Sequence, residues 1–464
     1  MHVAIIGVGY VGLVSGACFA DLGHSVRCVD RDAGRIAALR AGRMPIYEPH
    51  LEALVARNVA AGRLGFGTDL AEAVRDAEVI FIAVGTPARR GDGHADLAHV
   101  FACAHEIAGA LTGYAVIVTK STVPVGTGDR VEHILRSLRP QAPFAVVSNP
   151  EFLREGAAIA DFKTPDRIVI GTADERARAV MHNLYRPLEP GTRILFTGRR
   201  SAELVKYAAN AFLALKIGFI NEMADLCEQA DADIHDVAHG IGLDRRIGAR
   251  FLQAGPGFGG SCFPKDIQAL IKSAQDLGAP ARIVETVAAA NEQRKRRMAR
   301  RLIQACGGSV RGLTIGVLGL TFKPNTDDMR ESPALTIITA LLDEGAEVRA
   351  FDPEGMAQAR ALMPEITYVA SAEAVAEGAH ALALITEWDA FRDLDLPRLR
   401  GRMAGDVLVD YRNLIAPEAA AEAGFHHIGI GCRPARPAAP AQIARVRGSR
   451  RGARIDSELA ASPA

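Results

Sequence analysis

The stretch from His2 to Asp30 narrows the fold more than any other part of the chain. An apolar run at 2–6 leads into Gly7-Val8-Gly9-Tyr10-Val11-Gly12. An apolar-periodic stretch follows at 13–22, and a second run at 25–29 ends in Asp30. Strand, glycine turn, helix, strand and acid, in that order, make a dinucleotide-binding unit. The glycines let the backbone approach a pyrophosphate seated on the helix N-terminus, and the acid accepts the ribose hydroxyls. A nicotinamide dinucleotide is therefore expected at Gly7, Gly9, Tyr10, Gly12 and Asp30. Asp30 repels a 2′-phosphate, which favours NAD over NADP; Arg31 and Arg35 soften that preference without reversing it.

Further strand-like runs at 79–84, 115–119, 144–148 and 167–170 extend the sheet. They end in polar or glycine-rich segments: Gly85-Thr86-Pro87, Ser121-Thr122-Val123-Pro124-Val125-Gly126, and Asn149-Pro150-Glu151-Phe152-Leu153-Arg154-Glu155-Gly156. Ligands of open α/β sheets lie outside the carboxyl ends of the strands, so Thr86, Thr122, Glu151 and Glu155 are site candidates. Any one of them alone is equally ordinary turn chemistry.

From 201 to 230 the period changes to one long helix, with Ser201 expected as its N-cap. Lys206 and Asn210 share a face, from which an ammonium and an amide can hold an oxyanion or a hydroxyl. Spacing alone equally allows a solvated lysine. Then comes Ala254-Gly255-Pro256-Gly257-Phe258-Gly259-Gly260-Ser261-Cys262-Phe263-Pro264-Lys265-Asp266, where four glycines lead into a cysteine close to a lysine and an aspartate. A thiol reacts as thiolate, a form that Lys265 and Lys206 are expected to favour. The plainer alternative is a buried, inert cysteine. Helices are expected at 267–277 and 283–303, the second carrying a basic run, Arg294-Lys295-Arg296-Arg297, read as a solvated face near a domain boundary.

The last third repeats the first: strands at 313–318, 347–351, 380–385 and 407–409, and a helix at 333–344. Its first turn, 319–332, lacks the GxGxxG spacing but carries Lys323 and Arg330, a basic turn suited to a phosphorylated ligand other than the dinucleotide. The expected fold is α/β, two Rossmann-like doubly wound domains at 1–197 and 306–432 joined by a central long-helix region at 198–305. Residues 433–464, rich in Pro, Ala, Arg, Gly and Ser, are expected to form a disordered basic tail.

Basic and acidic residues number 54 each, so the overall field attracts neither nucleic acid nor an anionic membrane, and charged ligands must be met locally. The seven cysteines are scattered and show no metal-binding spacing. A reduced, cytoplasmic, metal-free protein is expected, with no signal peptide before the first strand and no apolar run of membrane length.

Gly7-Val8-Gly9-Tyr10-Val11-Gly12, Asn149-Pro150-Glu151-Phe152-Leu153-Arg154-Glu155-Gly156, the Lys206/Asn210 helix, Gly257-Phe258-Gly259-Gly260-Ser261-Cys262-Phe263-Pro264-Lys265-Asp266 and Gly319-Leu320-Thr321-Phe322-Lys323 together resemble the UDP-glucose/GDP-mannose dehydrogenase family. The motifs stand in the family's order and cover nearly everything before the tail. Arg246-Ile247-Gly248-Ala249-Arg250-Phe251-Leu252-Gln253-Ala254-Gly255-Pro256-Gly257 is similar to the branch that takes UDP-glucose. Arg35 departs from the family's usual lysine but keeps its charge.

The resemblance implies a four-electron oxidation of UDP-glucose to UDP-glucuronate with two NAD. The C6 alcohol loses its proton to a water or base held by Lys206 and Asp266. Cys262 captures the aldehyde, Lys206 and Asn210 stabilise the adduct's oxyanion, and Glu151 with Thr122 directs hydrolysis of the thioester. It further implies NAD contacts at Val11, Asp30, Arg35, Thr86, Thr122, Glu155, Lys265 and Arg330. Nucleotide-sugar contacts are implied at Glu151, Phe152, Leu153, Arg154, Glu155, Lys206, Asn210, Phe251, Leu252, Gln253, Ala254, Gly255, Gly259 and Lys323. Residues 306–432 become the UDP-sugar domain, the central helices a dimer contact, and Arg246 a reach into the neighbouring subunit's substrate. GDP-mannose or a UDP-N-acetylhexosamine as substrate shares the mechanism. A two-electron hydroxyacid dehydrogenase has no use for Cys262, and a non-catalytic NAD-binding protein leaves the Cys262, Lys206, Asn210, Asp266 and Glu151 set unexplained.

Overall fold

A computed structural model describes residues 1–89 and 91–437. The first sheet has eight strands: β1 His2–Ile6, β2 Ser25–Val29, β3 Leu64–Gly67, β4 Val79–Ile82, β5 Ala115–Thr119, β6 Phe144–Ser148, β7 Arg167–Gly171 and β8 Arg193–Thr197. They lie in the order β3-β2-β1-β4-β5-β6-β7-β8. All neighbours are parallel except β6 and β7, which meet antiparallel at the single pair Ser148–Gly171. Helices cover both faces, which is why every residue of β4, β5 and β6 is buried and all are apolar but the last of β5 and of β6, Thr119 and Ser148. Strand order reverses between β1 and β4, and there the fingerprint turn opens a crevice.

The second sheet comprises β9 Thr314–Leu318, β10 Glu347–Phe351, β11 Thr367–Tyr368, β12 Ala381–Leu384, β13 Val407–Asp410 and β14 His426–Ile428. Its order, β11-β10-β9-β12-β13-β14, repeats the first six strands of the other sheet. The expected pair of doubly wound units is present. Sequence reading missed β3, β8, β11 and β14, all at sheet edges.

Between the sheets run Arg199–Ala230, a helix of 32 residues, and Arg282–Ala305. The long helix begins beside β6 and β7. Its far end, through Ile220, Ala224 and Cys227, packs into the core of the second sheet together with Met298 and Leu302. Its N-cap is Gly198, so Ser201 lies inside the first turn and does not cap it. Arg199 explains the earlier start, for it is tied to Asp129 at 2.8 Å and Glu132 at 2.6 Å.

The basic run is not a solvated face. Arg294 is buried and donates to the carbonyls of Gly255 and Asn221 and to Asp225, while Lys295 is buried and pairs with Glu292; only Arg296 and Arg297 are exposed. Arg294 thereby fastens the glycine loop to the long helix. The chain also stays ordered past residue 432, because Ala435 bridges His427 beside β14. The rest of the expected tail, 438–464, lies outside the described residues. Among the described residues no helix is long and apolar enough to cross a membrane.

Candidate active site

The fingerprint turn is built by close backbone approach. Gly7 has φ +98°, and a Cβ there would sit 2.8 Å from the Ala83 carbonyl oxygen; one at Gly12 would lie 1.9 Å from that of Gly7. Gly9 caps the Tyr10–Asp21 helix, and a Cβ on it would meet nothing within 4 Å. Asp30 accepts from the Val8 amide at 2.9 Å and faces Arg35 at 3.6 Å. A cleft of roughly 700 Å³ runs from Gly9, Tyr10, Val11, Asp30 and Arg35, past Thr86 and Thr122, to Glu151, Cys262, Lys265, Asp266 and Arg330. Glycine-walled at its turn and ended by an open carboxylate, it fits an extended dinucleotide.

At the far end the sheet, the long helix and the glycine loop converge. Lys206 and Asn210, both buried, leave the long helix on one face. Lys206 Nζ lies 3.0 Å from Glu151 Oε1, at the end of β6, and Asn210 Nδ2 donates to Asp266 Oδ2 at 2.6 Å. Burial opposes the charge on Lys206, yet Glu151, Cys262 and Asp266 outweigh it and hold the ammonium above the ordinary lysine range. Glu151 Oε2 also accepts from the Leu153 amide at 2.6 Å. Cys262 caps the Phe263–Asp276 helix, which therefore begins earlier than its sequence pattern indicates and brings Asp266 into its first turn.

The thiol contradicts its expected activation. Burial, followed by the nearby Glu151 carboxylate, pushes Cys262 up to about 11 against the opposing pull of Lys206. Lys265 gives no visible help, because its Nζ donates to Asp266 Oδ1 at 2.6 Å. These surroundings disfavour the thiolate. Its Sγ lies 3.7 Å from Ser261 Oγ, which donates to Glu155 Oε1 at 2.9 Å. Burial, and then Asp328, raise Glu155 to about 7.

Other expected positions fall around this centre. Phe152 lies under the Arg167 guanidinium, 3.6 Å from the ring centre, and Arg154 pairs with Asp161. Glu155 meets Ser261, Thr326 and Arg330, of which Ser261 and Arg330 line the cleft. Phe251 adopts φ +65°, Leu252 and Ala254 are buried, and Gln253 is exposed between them. Gly255 donates to Asn221 Oδ1 at 2.9 Å. Cβ atoms on Gly259 and Gly260 would strike the Glu331 carbonyl and the Phe322 ring, and Gly260 N donates to Arg330 O at 2.8 Å. The second sheet's first turn thus closes on the cysteine loop. The basic turn is split between two surroundings: Arg330 lines the dinucleotide cleft, whereas Lys323 is half-buried, within the field of Glu155 and Cys262, and burial lowers it below the ordinary lysine range. Arg246 projects into solvent, paired with Asp244 on its own loop.

Three contributors escaped the sequence. Glu203, one turn before Lys206 on the same face, accepts from the amides of Gly126 and Gly128 at 2.7 and 2.8 Å and so holds the Thr122 loop. Ser261 links Cys262 to Glu155. Lys120 is buried directly after β5. A charged residue two positions beyond the apolar run 115–118 was the available signal for it.

Comparison with known proteins places the whole arrangement. Residues 1–189 match the NAD binding domain of the UDP-glucose/GDP-mannose dehydrogenase family, 200–293 its central domain, and 316–417 its UDP binding domain. A UDP-glucose 6-dehydrogenase of Rhizobium meliloti (strain 1021) is 59% identical over 434 residues, which cover 93% of this chain and 99% of the relative. One from Pseudomonas aeruginosa is 50% identical, covering 93% and 97%. The structure of a UDP-glucose dehydrogenase from the hyperthermophilic archaeon Pyrobaculum islandicum superposes with a TM-score of 0.86 at 41% identity, covering 93% of this chain and 98% of that one.

Proposed function

The chain belongs to the UDP-glucose/GDP-mannose dehydrogenase family, an NAD-dependent oxidoreductase family, and on that premise we propose that it oxidises the C6 hydroxymethyl of UDP-glucose to the carboxylate of UDP-glucuronate. The observation that carries this reading is the convergence of Cys262, Lys206, Glu151, Asn210 and Asp266 at the end of the cleft. A two-electron dehydrogenase needs no nucleophile there. The names of the 59% and 50% identical relatives support UDP-glucose as the sugar.

In this reading Asp266, held by Asn210 and Lys265, orders the water that takes the C6 hydroxyl proton. Bound NAD supplies the hydride acceptor, once for each two-electron oxidation. Cys262 Sγ bonds to the aldehyde carbon as its own proton passes to the water held by Asp266, and Lys206 with Asn210 stabilises the resulting oxyanion. Capture makes the carbon tetrahedral, with a hydrogen again able to leave as hydride. Removal of that hydride leaves a thioester on Cys262. Glu151 and Thr122 then direct a water onto the thioester carbonyl, the C–S bond breaks, and the sulfur regains its proton.

Gly9, Val11, Asp30, Arg35, Thr86 and Arg330 would hold the dinucleotide, and the 151–155 and 251–259 stretches with Lys323 the nucleotide sugar. Residues 1–197, 198–305 and 306–432 then divide the work as cofactor, catalytic-loop and UDP-sugar domains. A homodimer on the central helices is supported by Leu204, Phe212, Phe219 and Leu226, large apolar side chains exposed along one side of the long helix. Arg246, pointing away from its own fold, would serve the partner's substrate.

Stoichiometry tests the reading. Each UDP-glucose should yield two NADH and one carboxylate with no free aldehyde, and a panel including GDP-mannose and UDP-N-acetylhexosamines should turn over more slowly. One NADH per sugar with released aldehyde would sink it.

A further inference from the structure

Lys120 adjoins β5, whose five residues are all buried, and is itself only 4% exposed. Its Nζ donates to Asn149 Oδ1 and Tyr185 Oη, both at 3.3 Å, and lies 5.7 Å from the centre of the Phe81 ring. All three partners are neutral. An ammonium removed from water is normally met by a carboxylate in contact. Here the carboxylate whose field reaches it is Glu151, two residues beyond Asn149 and already paired with Lys206. The fold does not need the charge, since Tyr185 donates to Asn149 Oδ1 at 2.6 Å and Asn149 donates to the Val169 carbonyl at 2.8 Å without it. A methionine would fill similar volume and bury no charge.

We propose that Lys120 is a positioning residue for the oxidation, its buried positive charge sharing the Glu151 carboxylate with Lys206 and so freeing the Lys206 ammonium for the substrate oxyanion. With Lys120 neutral, Glu151 holds Lys206 alone and draws it off the reacting carbon's oxygen. Glu151 favours the charge on Lys120 and Lys206 opposes it; Tyr185, the titratable group in contact, is kept a neutral phenol by burial. Burial dominates and brings Lys120 down to about 8. The charge is present below that pH and lost above it. Stability runs the other way. The unfolded chain keeps this lysine protonated into the ordinary lysine range, so its burden on folding is full below about pH 8 and fades as the pH climbs toward that range.

The inference rests on the roles given above to Glu151 and Lys206, which the two-NADH yield of the unmodified enzyme tests separately. With UDP-glucose and NAD at pH 7, Lys120→Met should fold with an equal or higher Tm, keep both KM values within about twofold, and lose about tenfold in kcat. Wild-type kcat should fall above about pH 8 toward the level of Lys120→Met, which lacks that limb. Lys120→Arg should recover most of the rate and carry the limb beyond about pH 10. A Lys120→Met enzyme with wild-type kcat and an unchanged pH profile overturns the inference. So does one that cannot fold, because the ammonium is then a structural need. A wild-type enzyme that makes no second NADH overturns the reading of the site itself.

Discussion

Both sheets put an aspartate after their second strand, and the two aspartates have opposite fates. Asp30 accepts from the amides of Val8 and Asp32, keeps its side chain 13% exposed, and faces the cleft. Asp352 is 1% exposed and receives six hydrogen bonds, from the amides of Leu320, Thr321, Glu354 and Gly355, the Thr321 hydroxyl and the Trp388 indole. Strand order is shared, and so is a left-handed glycine after the first strand, Gly7 at φ +98° and Gly319 at φ +88°. The difference lies in the residues next to that glycine. Val8-Gly9 leaves open space before the helix, whereas Leu320-Thr321, with Trp388 from the loop after β12, closes over the acid. Topology offers a crevice, and a few side chains decide whether a ligand or the protein fills it.

The contrast assigns chemistry to the open side and scaffolding to the sealed one, and three substitutions probe it. The largest effect is expected from Lys206→Ala, which should lower kcat at least a hundredfold, by order of magnitude, with little change in KM, because the ammonium acts mainly on charge that develops in the transition state. Steady-state NADH production measures it, and a change confined to KM would reduce the open side to a binding surface. Next comes Asp352→Ala. It strips six donors of their acceptor and should cost about 3 kcal/mol, read as a lower urea midpoint, while the surviving folded enzyme keeps its preference for NAD. Unchanged stability would show that the sealed acid is not structural. The smallest is Asp30→Ala, expected to leave the unfolding free energy from urea titration within about 0.5 kcal/mol yet narrow the NAD-to-NADP ratio of kcat/KM by about tenfold. A ratio that stays fixed would remove the ribose from Asp30.

Legibility in the sequence followed burial. Interior strands such as Val79–Ile82 declare themselves because both faces are covered. The four missed strands are sheet edges, where β8 alternates exposed and half-buried residues, β3 is half glycine and β11 has two residues. Helical spacing puts Lys206 and Asn210 on one face and the glycine run singles out Cys262, but a solvated lysine and an inert cysteine fit the same patterns, and only the family resemblance joins the three. The upward shift of the thiol was not legible, because it depends first on burial and then on the field of Glu151, a residue far away in sequence. The inward turn of Arg294 was hidden for the same reason: its acceptors are the Gly255 and Asn221 carbonyls and the Asp225 carboxylate, on a loop and on another helix, and no local pattern encodes them.

The lid over the cysteine loop bears on how the protein is made. Phe322 and Glu331 stand where side chains on Gly260 and Gly259 would be, and both belong to the second sheet's first turn. Synthesis proceeds from the N-terminus, so the ribosome releases Cys262 roughly seventy residues before that turn is complete, and several seconds before the sheet that anchors it. During this interval the turn that packs on the cysteine loop has not yet been made. A thiol reagent is therefore expected to label Cys262 faster in chains stalled before that turn than in finished ones.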